Sequence, residues 1–227
     1  MKKLVCFDFD DVIVNNRVFL KLPFLRKKFK AFELGIDYMK GSLDPKQFNV
    51  FANHLMKQVE GMRAEFIIRL LLRMRLRKGV KEVFKTLHRR GYRIVIVSVN
   101  DETFIQRYLH KHNLDQYVSH IYAAKFGIKN GRLTGKIDGE VIRTEKVGII
   151  PIIEKRYKIK RTEVIYIGDG LTDLPMMKRV NHGILFNPNP ITKVEVFTDR
   201  KLKEKEEKGQ LFLAEGTDLR KIMKFID

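Results

Sequence analysis

The sequence predicts an α/β fold built on a mainly parallel sheet, and three short apolar runs predict it. Leu4-Val5-Cys6-Phe7, Arg93-Ile94-Val95-Ile96-Val97 and Glu163-Val164-Ile165-Tyr166-Ile167 each read as a buried strand. Each ends in a polar cluster: Asp8-Phe9-Asp10, Ser98-Val99-Asn100 and Gly168-Asp169-Gly170. In an open α/β sheet the carboxyl ends of the strands form the crevice where ligands bind, so these clusters mark the candidate site.

The first cluster carries the most chemistry. Two carboxylates separated by one residue repel each other and lose solvation unless a cation or proton compensates. Mg²⁺ is the natural compensator, because it prefers oxygen ligands and keeps waters. The next stretch reads as mostly helical, with breaks at Pro23 and at Gly41-Ser42-Leu43-Asp44-Pro45. The sheet pattern resumes near Leu76, where Arg77-Lys78-Gly79 precedes an amphipathic helix through Val80, Val83 and Leu87. Ile128 to Leu133 reads as a hairpin with a tight Asn130-Gly131 turn. Lys146 starts a helical stretch through Val147, Ile150 and Ile153, while Thr198 to Gln210 reads as a charge-rich solvated loop.

Taken singly, each cluster also reads as an ordinary turn; their order and spacing carry more. Strand-terminal Asp8-Phe9-Asp10, strand-terminal Ser98, Lys146, then Gly168-Asp169-Gly170-Leu171-Thr172-Asp173 resemble the four ordered motifs of the haloacid dehalogenase (HAD) superfamily. Val14-Asn15-Asn16, the hairpin Asn130-Gly131-Arg132-Leu133-Thr134-Gly135 and the closing Glu215-Gly216-Thr217-Asp218-Leu219-Arg220 resemble its phosphoserine-phosphatase-like branch. The resemblance implies a doubly wound, Rossmann-like core over residues 1–14 and 77–227. It also implies a small helical cap, residues 15–76, inserted after the first strand and closing over the site.

The roles follow from that resemblance. Asp8 would be the nucleophile, giving an aspartyl-phosphate, and Asp10 the general acid and then base. Ser98 and Lys146 would complete the catalytic set, stabilising charge on the transferring phosphoryl group. Backbone N–H groups at Phe9, Asp10 and Val99 would help bind it. Asp8, Asp169 and the Asp10 carbonyl would hold Mg²⁺, with Asp173 either a ligand or a group behind it that holds Lys146.

Three positions depart from the phosphoserine pattern. Arg17 stands where the branch has an ammonium-binding Glu, Val99-Asn100 where it has two glycines, and Asp11 where it has a small residue. Arg17 inverts the charge preference, so a more anionic phosphomonoester than phosphoserine is expected, with Arg17, Val99 and Asn100 among its contacts. The cap agrees: residues 17–78 hold 15 Lys and Arg against 5 Asp and Glu, a net of +10 within a chain of formal charge +19. The densest clusters are Arg26-Lys27-Lys28-Phe29-Lys30 and Arg69, Arg73, Arg75 and Arg77, a field that draws anions. Nucleic acid or another polyanion is therefore a candidate partner, with Phe19, Phe24, Phe29 and Phe32 available to stack or to form the cap core. The apolar run Ile67 to Leu76 packs inside the cap or at an interface, leaving monomer or homodimer open.

The single cysteine, Cys6, excludes an intramolecular disulfide, and neither a signal peptide nor a spanning segment is evident, so a cytoplasmic enzyme is expected. The principal expectation is a Mg²⁺-dependent phosphatase. Phosphotransfer to an alcohol acceptor and a non-enzymatic RNA-binding role on the same fold are the alternatives.

Overall fold

The computed structural model describes residues 4–15, 52–54 and 56–226. The expectations for Arg17, for the basic run Arg26 to Lys30, for the four cap phenylalanines and for the breaks at Pro23 and 41–45 lie outside the described residues.

Seven strands form one sheet in the order β6-β5-β4-β1-β7-β8-β9. They are β1 (Leu4–Phe7), β4 (Arg93–Asp101), β5 (Val118–Lys129), β6 (Arg132–Asp138), β7 (Val164–Gly168), β8 (His182–Phe186) and β9 (Leu211–Ala214). All neighbours run parallel except β5 and β6, which form the expected hairpin. Asn130 and Gly131 turn it at φ 51° and 71°, the left-handed pair a two-residue hairpin requires.

The strand β1 is central and its alternation divides the core. Val5 and Phe7 face one layer, with α2 (Val80–Arg89), α3 (Glu102–Lys111) and a closing 3₁₀ turn over Leu219–Phe225. Leu4 and Cys6 face the other, with α4 (Glu140–Thr144), α5 (Ile149–Tyr157) and α6 (Leu174–Arg179), joined by Val196 of α7 (Pro190–Thr198). A strand buried on both faces must be apolar throughout, which is why β1 reads as a continuous hydrophobic run. The sheet is thus doubly wound, as expected.

Where the chain leaves and re-enters this core, β2 (Val14–Asn15) pairs antiparallel with β3 (Arg75–Leu76). Helix α1 (Ala64–Leu71) precedes β3, and Ala64, Ile67 and Leu71 join the same apolar cluster as Phe9 and Val12. The apolar run therefore packs inward. The segment just before α1 is tied to the hairpin: Gly61 donates to the Leu133 carbonyl at 2.8 Å, and Leu133 donates to that of Met62 at 2.9 Å.

Two expectations are corrected. Residues 200–207 form a helix, α8 (Arg200–Glu207), not a loop. Asp199 caps it by accepting from Leu202 N at 3.0 Å, and Leu202 is fully buried. Arg77, grouped above with a basic surface cluster, is buried, and its guanidinium pairs with Asp11.

Candidate active site

The three strand ends meet. Parallel register places Phe7 opposite Ile96 and Ile167, so the residues after β1 and β7 emerge side by side, and Asp8 N donates to the Ile167 carbonyl at 2.8 Å. Asp8 is buried, with its Oδ1 accepting from Phe9 N at 2.8 Å and lying 2.9 Å from Lys146 Nζ. Lys146 opens a 3₁₀ turn (Lys146–Gly148) just before α5, which carries its side chain inward to 4 % exposure. A buried lysine needs an acid partner, and it has two.

The second is Asp173. A 3₁₀ turn (Leu171–Asp173) folds the Gly168-Asp169-Gly170 segment back on itself, leaving Asp173 fully buried. Its Oδ1 accepts from Lys146 Nζ at 2.8 Å and from the Tyr166 hydroxyl at 2.7 Å. Its Oδ2 accepts from the N–H groups of Asp169 and Gly170 at 3.0 and 3.1 Å. Four protein donors thus share the carboxylate's four lone-pair positions. Tyr166 is the group that sequence reasoning missed; it reads as a strand residue, and only the fold aims its hydroxyl at Asp173.

On β4 the strand runs on past Ser98 to Asp101, and the pairing with β5 slips between these two residues. The irregularity re-aims the side chains. Ser98 is fully buried, and its hydroxyl accepts from Asn100 N at 3.1 Å. The Asn100 amide donates to both oxygens of Asp10 at 3.2 Å. Val99 is partly buried against the second core layer, and the Phe9 ring is buried edge-on to Phe104 and Tyr108, so Phe9 offers the site its backbone only. Buried Asp101 anchors the slip, accepting from Phe104 N and from Phe126 N at 3.0 Å.

The electrostatics are those of a site with too many acids. Burial pushes the Asp8 carboxyl up to about 8, against the pull of Lys146 and with the push of Asp173 and Asp10. Burial raises Asp10 to about 6, opposed by the Asn100 hydrogen bond. Asp169 is driven well above the usual carboxylate range by burial and by Asp173 and Asp8. Oxygens of Asp8, Asp169 and Asp173 lie within 4.8 Å of one another. These three acids could hold a cation, and Asp173 is the one already engaged by four protein donors. Hard oxygen donors with uncompensated negative charge fit Mg²⁺.

Comparison with known proteins bears on the fold and the class of protein. Residues 5–178 match the haloacid dehalogenase-like hydrolases, and the chain belongs to that family. A phosphoserine phosphatase of Methanocaldococcus jannaschii is 29% identical over 238 residues, covering 99% of this chain and 98% of the relative. One of Archaeoglobus fulgidus is 28% identical over 202 residues, covering 85% of this chain but 54% of the relative, so the chain spans about half of that protein. Among solved structures, a phospho-aspartyl intermediate analogue of phosphoserine phosphatase superposes with a TM-score of 0.75 at 27% identity, covering 100% of this chain and 99% of the other. A substrate-bound phosphoserine phosphatase complex gives 0.76 at 26% identity, with the same coverage. The protein is a phosphatase of the phosphoserine-phosphatase type. Among the described residues, no helix is long and apolar enough to cross a membrane.

Proposed function

We propose that the protein is a Mg²⁺-dependent phosphomonoester phosphatase working through a phosphorylated Asp8, and that its substrate is more anionic than phosphoserine. The observation that carries the mechanism is the ion bridge Asp8–Lys146–Asp173, with Lys146 Nζ at 2.9 and 2.8 Å from the two acids. It sets a fixed positive charge beside a buried carboxylate nucleophile, where phosphoryl transfer needs it.

In this reading an Asp8 oxygen bonds to phosphorus as the ester P–O bond breaks, and the leaving alkoxide takes a proton from Asp10. Water then attacks the phosphorus of the aspartyl-phosphate, gives its proton to Asp10, and inorganic phosphate leaves. Asn100 steadies Asp10 through both steps, and the Ser98 hydroxyl offers a hydrogen bond to a phosphoryl oxygen. Asp8, Asp169 and the Asp10 carbonyl would hold the metal, which would add positive charge to that of Lys146 to stabilise the transferring phosphoryl group. Asp173 acts through Lys146 and not as a ligand. Residues 15–76 would form the cap that excludes water.

The substrate argument rests on Arg17 and on the net +10 of residues 17–78. The relatives are named for phosphoserine, so that compound is the sharpest comparison. Phosphate release is measured with and without Mg²⁺ from p-nitrophenyl phosphate, phosphoserine, phosphorylated carboxylic acids, sugar phosphates and nucleotides, for wild type and Asp8→Asn. Metal-dependent release lost in Asp8→Asn is expected, with an anionic ester preferred. Phosphoserine as the best substrate would sink the specificity argument while leaving the mechanism intact.

A further inference from the structure

Arg77 has 5 % of its side chain exposed, although it follows Arg69, Arg73 and Arg75 in a basic run. Its Nε donates to the Asp11 carbonyl at 2.9 Å and its Nη2 to Asp11 Oδ1 at 3.1 Å. Its own N–H donates to the Ile13 carbonyl at 2.9 Å, and its guanidinium lies 5.6 Å from the centre of the Phe186 ring. Arginine alone can reach a carbonyl and a carboxylate with one planar fork while stacking on an aromatic face.

What it grips is the turn that carries Asp10. Ile13 N and Val14 N both donate to the Phe9 carbonyl, at 2.9 and 3.1 Å, so residues 9–14 close tightly. Asp11 makes that closure at φ 52°, a left-handed conformation that is strained for a non-glycine residue. The turn then runs directly into β2, and Arg77 directly follows β3. Asp11 and Arg77 therefore flank the two chain crossings on the core side.

We propose that Arg77 is a positioning residue, latching the turn that carries Asp10 to the β2–β3 crossing, so that Asp10 is aligned only when the crossing is in place. The inference rests on the reading of Asp10 as proton donor to the leaving group. Displacing such a donor lowers kcat/KM, which reports the leaving-group step, for esters of poor leaving groups and spares those that leave without protonation; the later role of Asp10 as base for water is common to both esters and falls on kcat. A residue that merely supports the fold would harm both alike.

The experiment compares kcat and KM on p-nitrophenyl phosphate and on β-glycerophosphate, an alkyl ester, for wild type, Arg77→Met, Arg77→Lys and Asp10→Asn with Mg²⁺ present. For Arg77→Met, kcat/KM on the alkyl ester is expected to fall roughly 10–100-fold, the scale of a small misplacement of a reacting group. On p-nitrophenyl phosphate the fall is expected to stay within about threefold, since general acid catalysis contributes little to that leaving group. Added guanidinium ion recovers part of the alkyl-ester kcat/KM. Arg77→Lys, which keeps the charge without the fork, gives the same split if Arg77→Met does not fold. Equal losses of kcat/KM on both esters, or no loss, overturn the proposal when Asp10→Asn itself shows the split. If Asp10→Asn loses kcat/KM equally on both esters, the acid role of Asp10 fails, and the latch falls with it for a distinguishable reason.

Discussion

Lys146 and Asp173 form an ion pair of 2.8 Å in which the aspartate is fully buried and the lysine nearly so. Asp173 spends its four hydrogen bonds on that lysine, on the Tyr166 hydroxyl and on its own loop. The lysine in turn reaches the nucleophile candidate Asp8.

Removing the lysine should expose the excess of acid. Lys146→Met leaves buried carboxylates without their paired cation, a change that typically costs about 3–5 kcal/mol. Activity should fall roughly 10²–10³-fold, as when one preorganised charge donor is lost. Tyr166→Phe removes only the hydroxyl bond to Asp173 and should cost about 1.5–3 kcal/mol, with a smaller loss of rate. Denaturant melts and steady-state assays on both variants check the ordering; a Tyr166→Phe enzyme less stable than Lys146→Met would contradict it.

Gly168 is required for space and not for backbone freedom. A Cβ at this position would lie 2.4 Å from Asp173 Cγ. Asp173 is pinned by four hydrogen bonds and has no room to yield. Gly168→Ala should therefore displace Asp173, cost about 1–3 kcal/mol and lower the rate at least tenfold. Gly170→Ala meets nothing within 4 Å and should be nearly silent in the same assays.

The pH dependence of stability should reverse the pattern usual for acids. Asp8 is raised to about 8 when folded, so the folded protein holds its proton more tightly than the unfolded chain does. Its contribution is fully present below the unfolded carboxylate value and is lost as pH rises toward 8. Without divalent metal, melting temperature should fall across that window. Mg²⁺ favours the ionised carboxylates and should flatten the slope, raising the melting temperature most near neutral pH. Melts in chelator and in Mg²⁺ across the pH range test this, and identical curves would remove the metal from the site.

The helix α8 makes a structural prediction that a solvated loop would not. Leu202 is fully buried, so Leu202→Ala should cost about 2–5 kcal/mol. Lys201→Ala on the exposed side should stay within about 0.5 kcal/mol. Chemical denaturation distinguishes the two directly.

Much of the site was legible because the signals are local. An apolar strand followed at once by Asp8 and Asp10, or by Gly168 and Asp169, declares both a strand end and its chemistry within a few residues. Residues 200–207 were not legible: their charges outnumber Leu202, and a helix held by one buried leucine and a capping aspartate leaves little hydrophobic period to read.

The sequence by itself determined the parallel strands, the hairpin turn at Asn130-Gly131 and the acids at the strand ends, because alternation, turn chemistry and strand length are properties of neighbouring residues. The tertiary structure alone decided that Asp173 accepts from Lys146, that Asn100 braces Asp10, and that Arg77 is buried on Asp11. Those partners stand 27, 90 and 66 positions apart in the chain. Which of many acids and bases becomes a partner depends on the sheet register that brings them together, and charge alone does not specify it.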